Sequence, residues 1–269
     1  MESKKYIIGS GWWCNDNNVQ LEQTERVLYG DESIRGESFH KYWYESINRC
    51  CSPDKIVIVD SCSPVKPPLS DDPRIVFISL NENAGHAVQH TGKFGGWLRS
   101  VILSLQYATL SDCDYYVYVE QDVLLQGQGI IEYCIDNMSS PFMFGECKTF
   151  KNPLQQSFFI IRRDGFDSFL AKLLSMNYKD SMIMPERKFA LATSPYNYLA
   201  FLFIKMKNKF LLKATYRLQS NILKWSRKYN YLPVGYGRDR PIKFNDKYFY
   251  FQHATKDELQ EYFKLIERC

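Results

Sequence analysis

Residues 114–125 read DYYVYVEQDVLL, a nearly continuous apolar run that two carboxylates interrupt. Such a run is typical of a strand that is covered on both faces of a parallel sheet. Glu120 and Asp122 stand two positions apart, so in an extended chain both carboxylates point to the same side. Burying them without partners costs several kcal/mol. The stretch therefore predicts a buried strand that ends at a divalent-cation site; the alternative is that the carboxylates pair with arginines or emerge at a turn.

Five further segments rich in β-branched and aromatic residues are strand-like, and helical patterns lie between most of them. This alternation predicts an α/β fold in one domain, with a mostly parallel central sheet flanked by helices and a helical C-terminal part. Thr255 and Glu258 form a capping-box pattern at the start of a last helix. The predicted strands are residues 6–8, 55–59, 74–79, 115–119, 142–144 and 157–161, and the main predicted helices are residues 38–49, 97–108 and 185–216.

Composition narrows the class of protein. A formal charge of +4 is only mildly basic and does not suggest a nucleic-acid partner, whereas a phosphate-bearing small substrate fits it. The eight cysteines have irregular spacing, which favours a reduced chain over a disulfide scaffold. The N-terminal apolar run is too short for a signal peptide, and the longest apolar run, residues 196–204, is too short to span a bilayer. We therefore expect a cytoplasmic location.

A lysine-rich stretch, residues 205–228, suits peripheral contact with an anionic membrane, as a lipid-linked acceptor would require. The alternative is an ordinary solvated face.

Polar residues follow two other predicted strands, where ligands bind in sheets of this kind. Asp60 ends the second strand, and its carboxylate either accepts hydrogen bonds from a nucleoside or caps a turn. The segment after the third strand contains Asn and Gly residues, which permit an unusual backbone path. Basic residues follow near a helix start, where an anion is favoured. This segment therefore either binds an anion or is an ordinary solvated start of a helix. Its members are Asn81, Asn83, Gly85, His86, His90, Lys93 and Arg99.

A glycine-flanked loop and an aromatic strand lie near the C-terminus. Arg238 and Arg240 in the loop suit a diphosphate, because a guanidinium group pairs with phosphate bidentately. The aromatic residues 248–251 lead into Gln252 and His253. We expect His253 to be either a third metal ligand or a structural residue.

The order of these motifs resembles the GT-A class of glycosyltransferases, which use nucleotide-diphospho-sugars, over residues 6–251. The resemblance implies a Rossmann-like fold with a nucleotide-binding half, residues 1–125, and an acceptor-binding half, residues 126–269. Glu120-Gln121-Asp122 looks like the Asp-x-Asp motif of the class, with Glu in place of the first Asp. The implied cofactor is Mn²⁺ or Mg²⁺, with Asp122 as the direct ligand and with Glu120 and His253 as further candidates.

The resemblance also implies a general base in an acidic residue at a helix start. Glu186, in Met-Pro-Glu-Arg, is our prediction for this base, with Glu146 and Asp180 as rivals and a helix-capping role for Glu186 as the alternative. The residues that the resemblance and the motifs assign to the nucleotide sugar are Gly9, Ser10, Asp60, Asn83, Gly85, His86, Lys93, Arg99, Glu120, Gln121, Arg238 and Arg240.

These assignments predict an inverting, metal-assisted transfer of a sugar from a nucleotide-diphospho-sugar, with UDP as the expected nucleotide, to a hydroxyl of a glycan or glycolipid acceptor. A nucleotidyltransferase that makes the sugar nucleotide is one alternative, but it usually has a basic glycine-rich loop after the first strand. Residues 9–13 read GSGWW and contain no basic residue. The other alternative is a non-catalytic carbohydrate-binding module that uses its aromatic residues to bind glycans.

Overall fold

Strands and helices alternate along the chain in the computed structural model, which describes residues 4–15, 29–86, 89–90, 92–146, 148, 152–204 and 209–267. The strands are β1 (Tyr6–Trp12), β2 (Lys55–Asp60), β3 (Ile75–Ser79), β4 (Gly85–His86), β5 (Gln89–His90), β6 (Tyr115–Val119), β7 (Val123–Gln126), β8 (Phe142–Gly145), β9 (Gln155–Arg162), β10 (Asn230–Tyr231), β11 (Gly235–Gly237) and β12 (Phe249–Gln252). The helices are α1 (Phe39–Cys50), α2 (Gly96–Thr109), α3 (Ile130–Asp136), α4 (Phe166–Ser175), α5 (Pro185–Ala192), α6 (Lys209–Trp225) and α7 (Lys256–Glu267), and short 3-10 helices cover Glu32–Arg35, Arg163–Gly165 and Asn197–Phe203. Within these ranges no helix has both the length and the apolar character needed to cross a bilayer.

A seven-stranded sheet in the order β10-β8-β9-β6-β1-β2-β3 forms the centre of the fold. β1 is parallel to β2 and β6, β2 is parallel to β3, and β8 is parallel to β10. β9 is antiparallel to both β6 and β8. The predicted α/β fold with a mostly parallel central sheet is confirmed. Because β9 runs in the opposite direction, its first residues lie at the same edge as the carboxyl ends of the parallel strands.

Close packing of α2 on β1 depends on glycine. A Cβ atom on Gly9 would lie 2.6 Å from the hydroxyl oxygens of both Ser104 and Tyr116. These two hydroxyl groups share a hydrogen bond of 2.7 Å in the buried core. Gly9 was predicted to bind the nucleotide, but in the structure its lack of a side chain makes room for this helix contact.

The predicted helix over residues 185–216 is wrong. α5 ends at Ala192, and the 3-10 helix Asn197–Phe203 separates it from α6. Pro195 explains the break, because proline lacks an N–H group and disfavours the helical conformation in the residue before it. The C-terminal part also contains the strands β10, β11 and β12, so it is less purely helical than predicted.

The stretch 114–125 forms two strands that belong to two sheets. β6 lies in the seven-stranded sheet, while β7 pairs antiparallel with β12 in a three-stranded sheet. The N–H of Val123 donates to the carbonyl oxygen of Glu120 at 3.0 Å, so the residues between them form a tight turn. The predicted extended geometry of Glu120 and Asp122 is therefore wrong, and the carboxylates instead lie at the corner where the two sheets meet.

Candidate functional site

Carboxylate, amide and imidazole groups meet at this corner. Nε2 of Gln252, at the end of β12, donates to Oε2 of Glu120 at 2.7 Å and to Oδ1 of Asp122 at 3.0 Å. His253 Nε2 lies 3.4 Å from Oδ2 of Asp122. The structure thus places Asp122 next to His253 and links Glu120 to Asp122 through Gln252. Gln252 had no predicted role, although it is a polar residue in an otherwise apolar strand.

The electrostatic environment of Asp122 disfavours a lone negative charge. Burial raises the pKa of the Asp122 carboxyl group, and this effect is opposed by the hydrogen bond from Gln252 and by the positive charge of Arg238. A cation next to a buried carboxylate stabilises its ionised form. Asp122 is therefore suited to bind a cation.

Asp122 and His253 fit two adjacent positions around a divalent cation. An octahedral ion with bonds of about 2.1 Å places adjacent ligands about 3.0 Å apart, close to the 3.4 Å between Asp122 Oδ2 and His253 Nε2. Within the described ranges, no three His, Cys, Asp or Glu side chains lie close enough to hold an ion by themselves. An ion here would need further oxygen ligands from water or from substrate phosphates, as is usual for Mg²⁺.

His253 has an unusual backbone conformation. Its φ of +57° lies in the left-handed region, where a residue with a side chain is disfavoured by about 1–2 kcal/mol. The ring of Tyr29 stacks on the imidazole ring with a centroid distance of 5.8 Å. Non-glycine residues in this conformation are concentrated at functional sites.

Arg240 holds this turn in place. Its Nη2 donates to the carbonyl oxygens of Gln252 at 2.8 Å and His253 at 3.4 Å, and its Nε pairs with Oε1 of Glu258 at 2.5 Å. Glu258 also completes the predicted capping box, with its carboxylate 2.9 Å from the N–H of Thr255. Arg240 was predicted to bind the diphosphate, but in the structure its guanidinium group is engaged with the protein.

A small cavity of about 20 Å³ lies beside the corner, with room for about one water molecule. Gln252 contributes to its wall, so the cavity adjoins the carboxylate centre. Its lining residues are Asn152, Leu154, Gln155, Gln156, Ser157, Glu186, Arg238 and Gln252.

Glu186 enters this cavity from the first turn of α5. Pro185 occupies the first helical position, where its fixed φ suits the start of a helix and its missing N–H is not needed. Burial raises the pKa of Glu186, and the nearby charge of Arg238 partly opposes this. Asn152 Nδ2 lies 3.3 Å from Oε1 of Glu186. The structure therefore places the predicted base, partly buried, on the same cavity as Gln252.

Arg238 connects the two parts of the site. Its Nε donates to Oε1 of Gln252 at 3.2 Å, and its backbone N–H donates to Oε1 of Gln155 at 2.9 Å. Gly237, just before it, has a φ of +60° that glycine adopts readily. The exposed Arg238 side chain thus places positive charge near both Asp122 and Glu186.

Asp60 and Gln121 are engaged with neighbouring parts of the chain. The Asp60 carboxylate is completely buried and accepts hydrogen bonds from the N–H of Ser63, the hydroxyl of Ser79 and the ammonium group of Lys66. Gln121 makes two hydrogen bonds to the backbone of Trp13, with its Oε1 2.7 Å from the N–H and its Nε2 3.0 Å from the carbonyl oxygen. Gln121 therefore ties the turn that bears the carboxylates to Trp13, just after β1. Ser10, within β1, is buried.

The residues predicted after the third strand also contact the protein. Asn83 Oδ1 accepts from the N–H of Gly85 at 2.8 Å. Lys93 donates to the carbonyl oxygen of Leu174 at 2.6 Å, and Arg99 forms an ion pair with Glu82 at 3.0 Å. The side chains of His86 and His90 lie outside the described part of the structure. The structure does not bring the described members of this group to the cavity lined by Glu186.

The two rivals of Glu186 lie in other settings. Glu146 is exposed and its carboxylate is 3.5 Å from Lys148 Nζ. Asp180 is buried, forms an ion pair of 2.6 Å with Lys188, and accepts from the N–H of Gly95 at 2.6 Å. Neither residue lines the cavity.

The buried pair of Lys188 and Asp180 is expected to stabilise the fold around α5. Removing one partner of a buried ion pair typically costs about 3–5 kcal/mol, because the other charge is left without compensation. We expect Lys188→Met to lower the free energy of unfolding by this amount in urea titrations. The double variant Lys188→Met/Asp180→Asn should recover part of the loss, because the amide oxygen can still accept from Gly95. Exposed Lys179→Met is the control, and an equal loss there would contradict the assignment.

Gln252 is expected to be the main stabilising partner of the two carboxylates in the metal-free protein. A hydrogen bond to a charged group contributes about 1.5–3 kcal/mol, and Gln252 Nε2 makes two such bonds. Gln252→Leu should therefore lower the free energy of unfolding by about 3 kcal/mol in urea titrations with EDTA. The exposed Gln128→Leu is the control. A change below about 0.5 kcal/mol for Gln252→Leu, the usual range of surface substitutions, would contradict this.

The fold and the site together define an α/β protein with an acidic centre at the carboxyl edge of a mostly parallel sheet.

No protein-family model matches the chain, and no curated protein matches it. Solved structures that resemble it include the mannosyltransferase PcManGT from Pyrobaculum calidifontis in complex with GDP-Man and Mn²⁺, which is 10% identical with a TM-score of 0.43 over 84% of this chain and 72% of that one. TarS from S. aureus is 10% identical with a TM-score of 0.44, over 97% of this chain and 39% of that one. A Bacillus anthracis protein assigned as a glucose-1-phosphate thymidylyltransferase, solved with sucrose, is 10% identical with a TM-score of 0.41, over 99% of this chain and 96% of that one. Similarities this low leave the reaction to be decided by the chemistry of the site.

Proposed function

We propose that this protein is a glycosyltransferase that moves a sugar from a nucleotide-diphospho-sugar to a hydroxyl group of a glycan or glycolipid acceptor, with metal assistance and inversion at the anomeric carbon. One observation carries the proposal. Glu186, Arg238 and Gln252 line one cavity, and Gln252 binds both Glu120 and Asp122. A candidate base and a candidate diphosphate centre thus adjoin each other, as this transfer requires.

Glu186 is the general base of the proposed reaction. It takes the proton of the acceptor hydroxyl while that oxygen forms a bond to the anomeric carbon, and the bond from this carbon to the diphosphate oxygen breaks. The nucleoside diphosphate leaves with that electron pair. Burial raises the pKa of Glu186, and a base is most effective when its pKa lies near the working pH.

The leaving diphosphate lies at the corner formed by Asp122 and His253. These two residues would hold Mn²⁺ or Mg²⁺, and a bound ion of this kind would neutralise charge that develops on phosphate oxygens. Arg238 adds a second positive charge near Gln252. Glu120 orients Gln252, and Arg240 keeps the turn at His253 in place.

The nucleoside lies beyond the carboxyl ends of β1 and β2, where sheets of this kind bind ligands. In this arrangement residues 1–125 form most of the donor side and residues 126–269 most of the acceptor side. UDP is the nucleotide implied by the resemblance to the GT-A class.

The test is to incubate the protein with Mn²⁺ and a panel of UDP-, GDP- and dTDP-sugars and to measure the nucleoside diphosphate released. A parallel incubation contains nucleoside triphosphates and sugar 1-phosphates, with pyrophosphate as the readout. Release of nucleoside diphosphate that EDTA abolishes supports the proposal. Release of pyrophosphate alone would instead identify a nucleotidyltransferase, and glycan binding without either turnover would identify a non-catalytic module.

A further inference from the structure

Charge is distributed very unevenly along the chain. Residues 187–238 contain 11 Lys and Arg residues and no Asp or Glu, which leaves 23 of the 34 basic residues and all 30 acidic residues to the rest of the protein. The excess of positive charge is therefore confined to the segment that contains the end of α5, the 3-10 helix Asn197–Phe203 and α6. Such a segment attracts an anionic partner.

Large aromatic side chains are exposed on the same segment. Trp225, at the end of α6, is 82% exposed, and Tyr198 and Phe201 on the 3-10 helix are 67% and 51% exposed. Side chains of this type are usually buried or lie at interfaces. Their exposure here is a cost in water that a partner would remove.

The two elements that bear these aromatic residues pack against each other. Gln219 Nε2 on α6 donates to the carbonyl oxygen of Leu202 at 2.5 Å, and Leu223 shares a buried cluster with Phe203. Around Trp225 the basic side chains are exposed. We call the exposed aromatic and basic side chains of these two elements and of the residues just after α6 the aromatic–basic face; its members are Tyr198, Phe201, Lys224, Trp225, Arg227 and Lys228.

We propose that the aromatic–basic face binds the surface of an anionic lipid bilayer. Tryptophan and tyrosine favour the membrane–water interface, because their rings are apolar with one polar group. Lysine and arginine next to them attract anionic lipid headgroups. A segment of 52 residues without a carboxylate also has no charge that would be repelled by such a surface.

The face is connected to the candidate site from two directions. Arg187, next to Glu186, donates from Nη1 to Oε1 of Gln219 on α6. After α6, the hydroxyl groups of Tyr229 and Tyr231 both donate to the carbonyl oxygen of Pro153, next to Asn152 in the cavity wall. This step rests on the proposed function: if the face binds a membrane next to the site, the acceptor glycan is carried by a membrane lipid.

Vesicle sedimentation tests the proposal with the full chain. The protein is mixed with vesicles of phosphatidylcholine alone or of phosphatidylcholine with phosphatidylglycerol. We expect binding only to the anionic vesicles, and a decrease in binding as salt is raised. Trp225→Ser should weaken the apparent affinity by about 10-fold, and Lys224→Glu/Lys228→Glu by at least about 20-fold.

Matched controls separate the face from general hydrophobicity and charge. Leu110 is also 82% exposed but lies after α2, and Leu110→Ser should leave binding unchanged. Lys243→Glu/Lys264→Glu changes the net charge by the same amount at exposed positions outside the segment and should have less than about a threefold effect. Equal losses in the variants and their controls, or wild-type binding to neither vesicle, would overturn the proposal.

Donor turnover distinguishes this proposal from the proposed function. Trp225→Ser should release nucleoside diphosphate from a soluble donor at the wild-type rate, because Trp225 is not part of the cavity lining. Vesicle binding without any donor turnover would overturn the proposed function and leave the membrane surface supported. Donor turnover without vesicle binding would overturn the membrane surface and leave the proposed function supported.

Discussion

Glu186→Gln is expected to lower kcat for sugar transfer by about 10²–10⁴-fold while the donor KM stays within a few-fold of wild type. The amide has the shape of the carboxylate but cannot accept the proton of the acceptor hydroxyl. Burial raises the pKa of Glu186, so the acid limb of the kcat profile should lie above the ordinary Glu value of about 4.3. That limb should be absent from the residual activity of the variant. Initial rates across pH with a saturating donor measure both effects.

Stability and a matched variant make this result interpretable. A carboxyl group whose pKa is raised by folding stabilises the protein fully below its unfolded pKa and loses that contribution as the pH rises through the folded pKa. At neutral pH, Glu186→Gln should therefore be at least as stable as wild type in thermal unfolding. Glu146→Gln, at the exposed rival position, should keep its activity. If instead Glu146→Gln is inactive and Glu186→Gln is not, the base has been misassigned.

Asp122→Asn is expected to remove the coupling between Mn²⁺ and UDP binding. Loss of outer partners of a metal ligand already costs about 10–100-fold in affinity, so loss of the ligand itself should cost at least about 100-fold. The Asn side chain can still accept from Gln252 Nε2, which now bonds to Oδ1 of Asp122 at 3.0 Å. Isothermal titration of UDP with Mn²⁺ and with EDTA measures the coupling, and the two affinities should become equal in the variant.

Three further variants identify which side chains hold the ion. Glu120→Gln should keep most of the coupling, because Glu120 Oε2 bonds to Gln252. His253→Asn should reduce it while preserving the left-handed turn, which asparagine tolerates. The exposed Asp112→Asn is the control for loss of one negative charge. If the coupling survives in Asp122→Asn and disappears in Glu120→Gln, then Glu120 rather than Asp122 is the metal ligand.

Local patterns predicted most of the fold because the relevant information lies within a few residues. Short runs rich in β-branched and aromatic residues predicted the strands β1, β2, β3, β6, β8 and β9, although the first was predicted to end at residue 8 and continues to Trp12. The predicted capping box between Thr255 and Glu258 forms. The helix over residues 185–216 failed because its apolar periodicity outweighed Pro195 in the prediction.

The order of motifs also placed Glu186, Asp122 and His253 in one functional group, and the structure brings the last two together and sets Glu186 on the adjoining cavity. Parallel strands present their carboxyl ends at one edge, so residues that follow different strands converge there without any local signal between them. This rule applies to Asp60 and to the turn with Glu120 and Asp122, which follow the parallel strands β2 and β6. His253 follows β12 of the smaller sheet and Glu186 starts a helix, so Glu186 was grouped with them through the resemblance to the GT-A class.

Tertiary structure alone decided how each polar group at this edge is partnered. Gln252 lies 132 residues from Glu120 in the chain and still binds it. The sequence pattern around neither residue contains information about that contact. The sequence likewise predicted Arg240 and Asp60 to be polar residues near the ligand-binding edge of the sheet. Only the folded chain shows that Arg240 pairs with Glu258. It also shows that Asp60 is bound by Lys66 and Ser79. Propensity and periodicity act over a few residues, but the partner of a buried charge is chosen by which distant segments pack together.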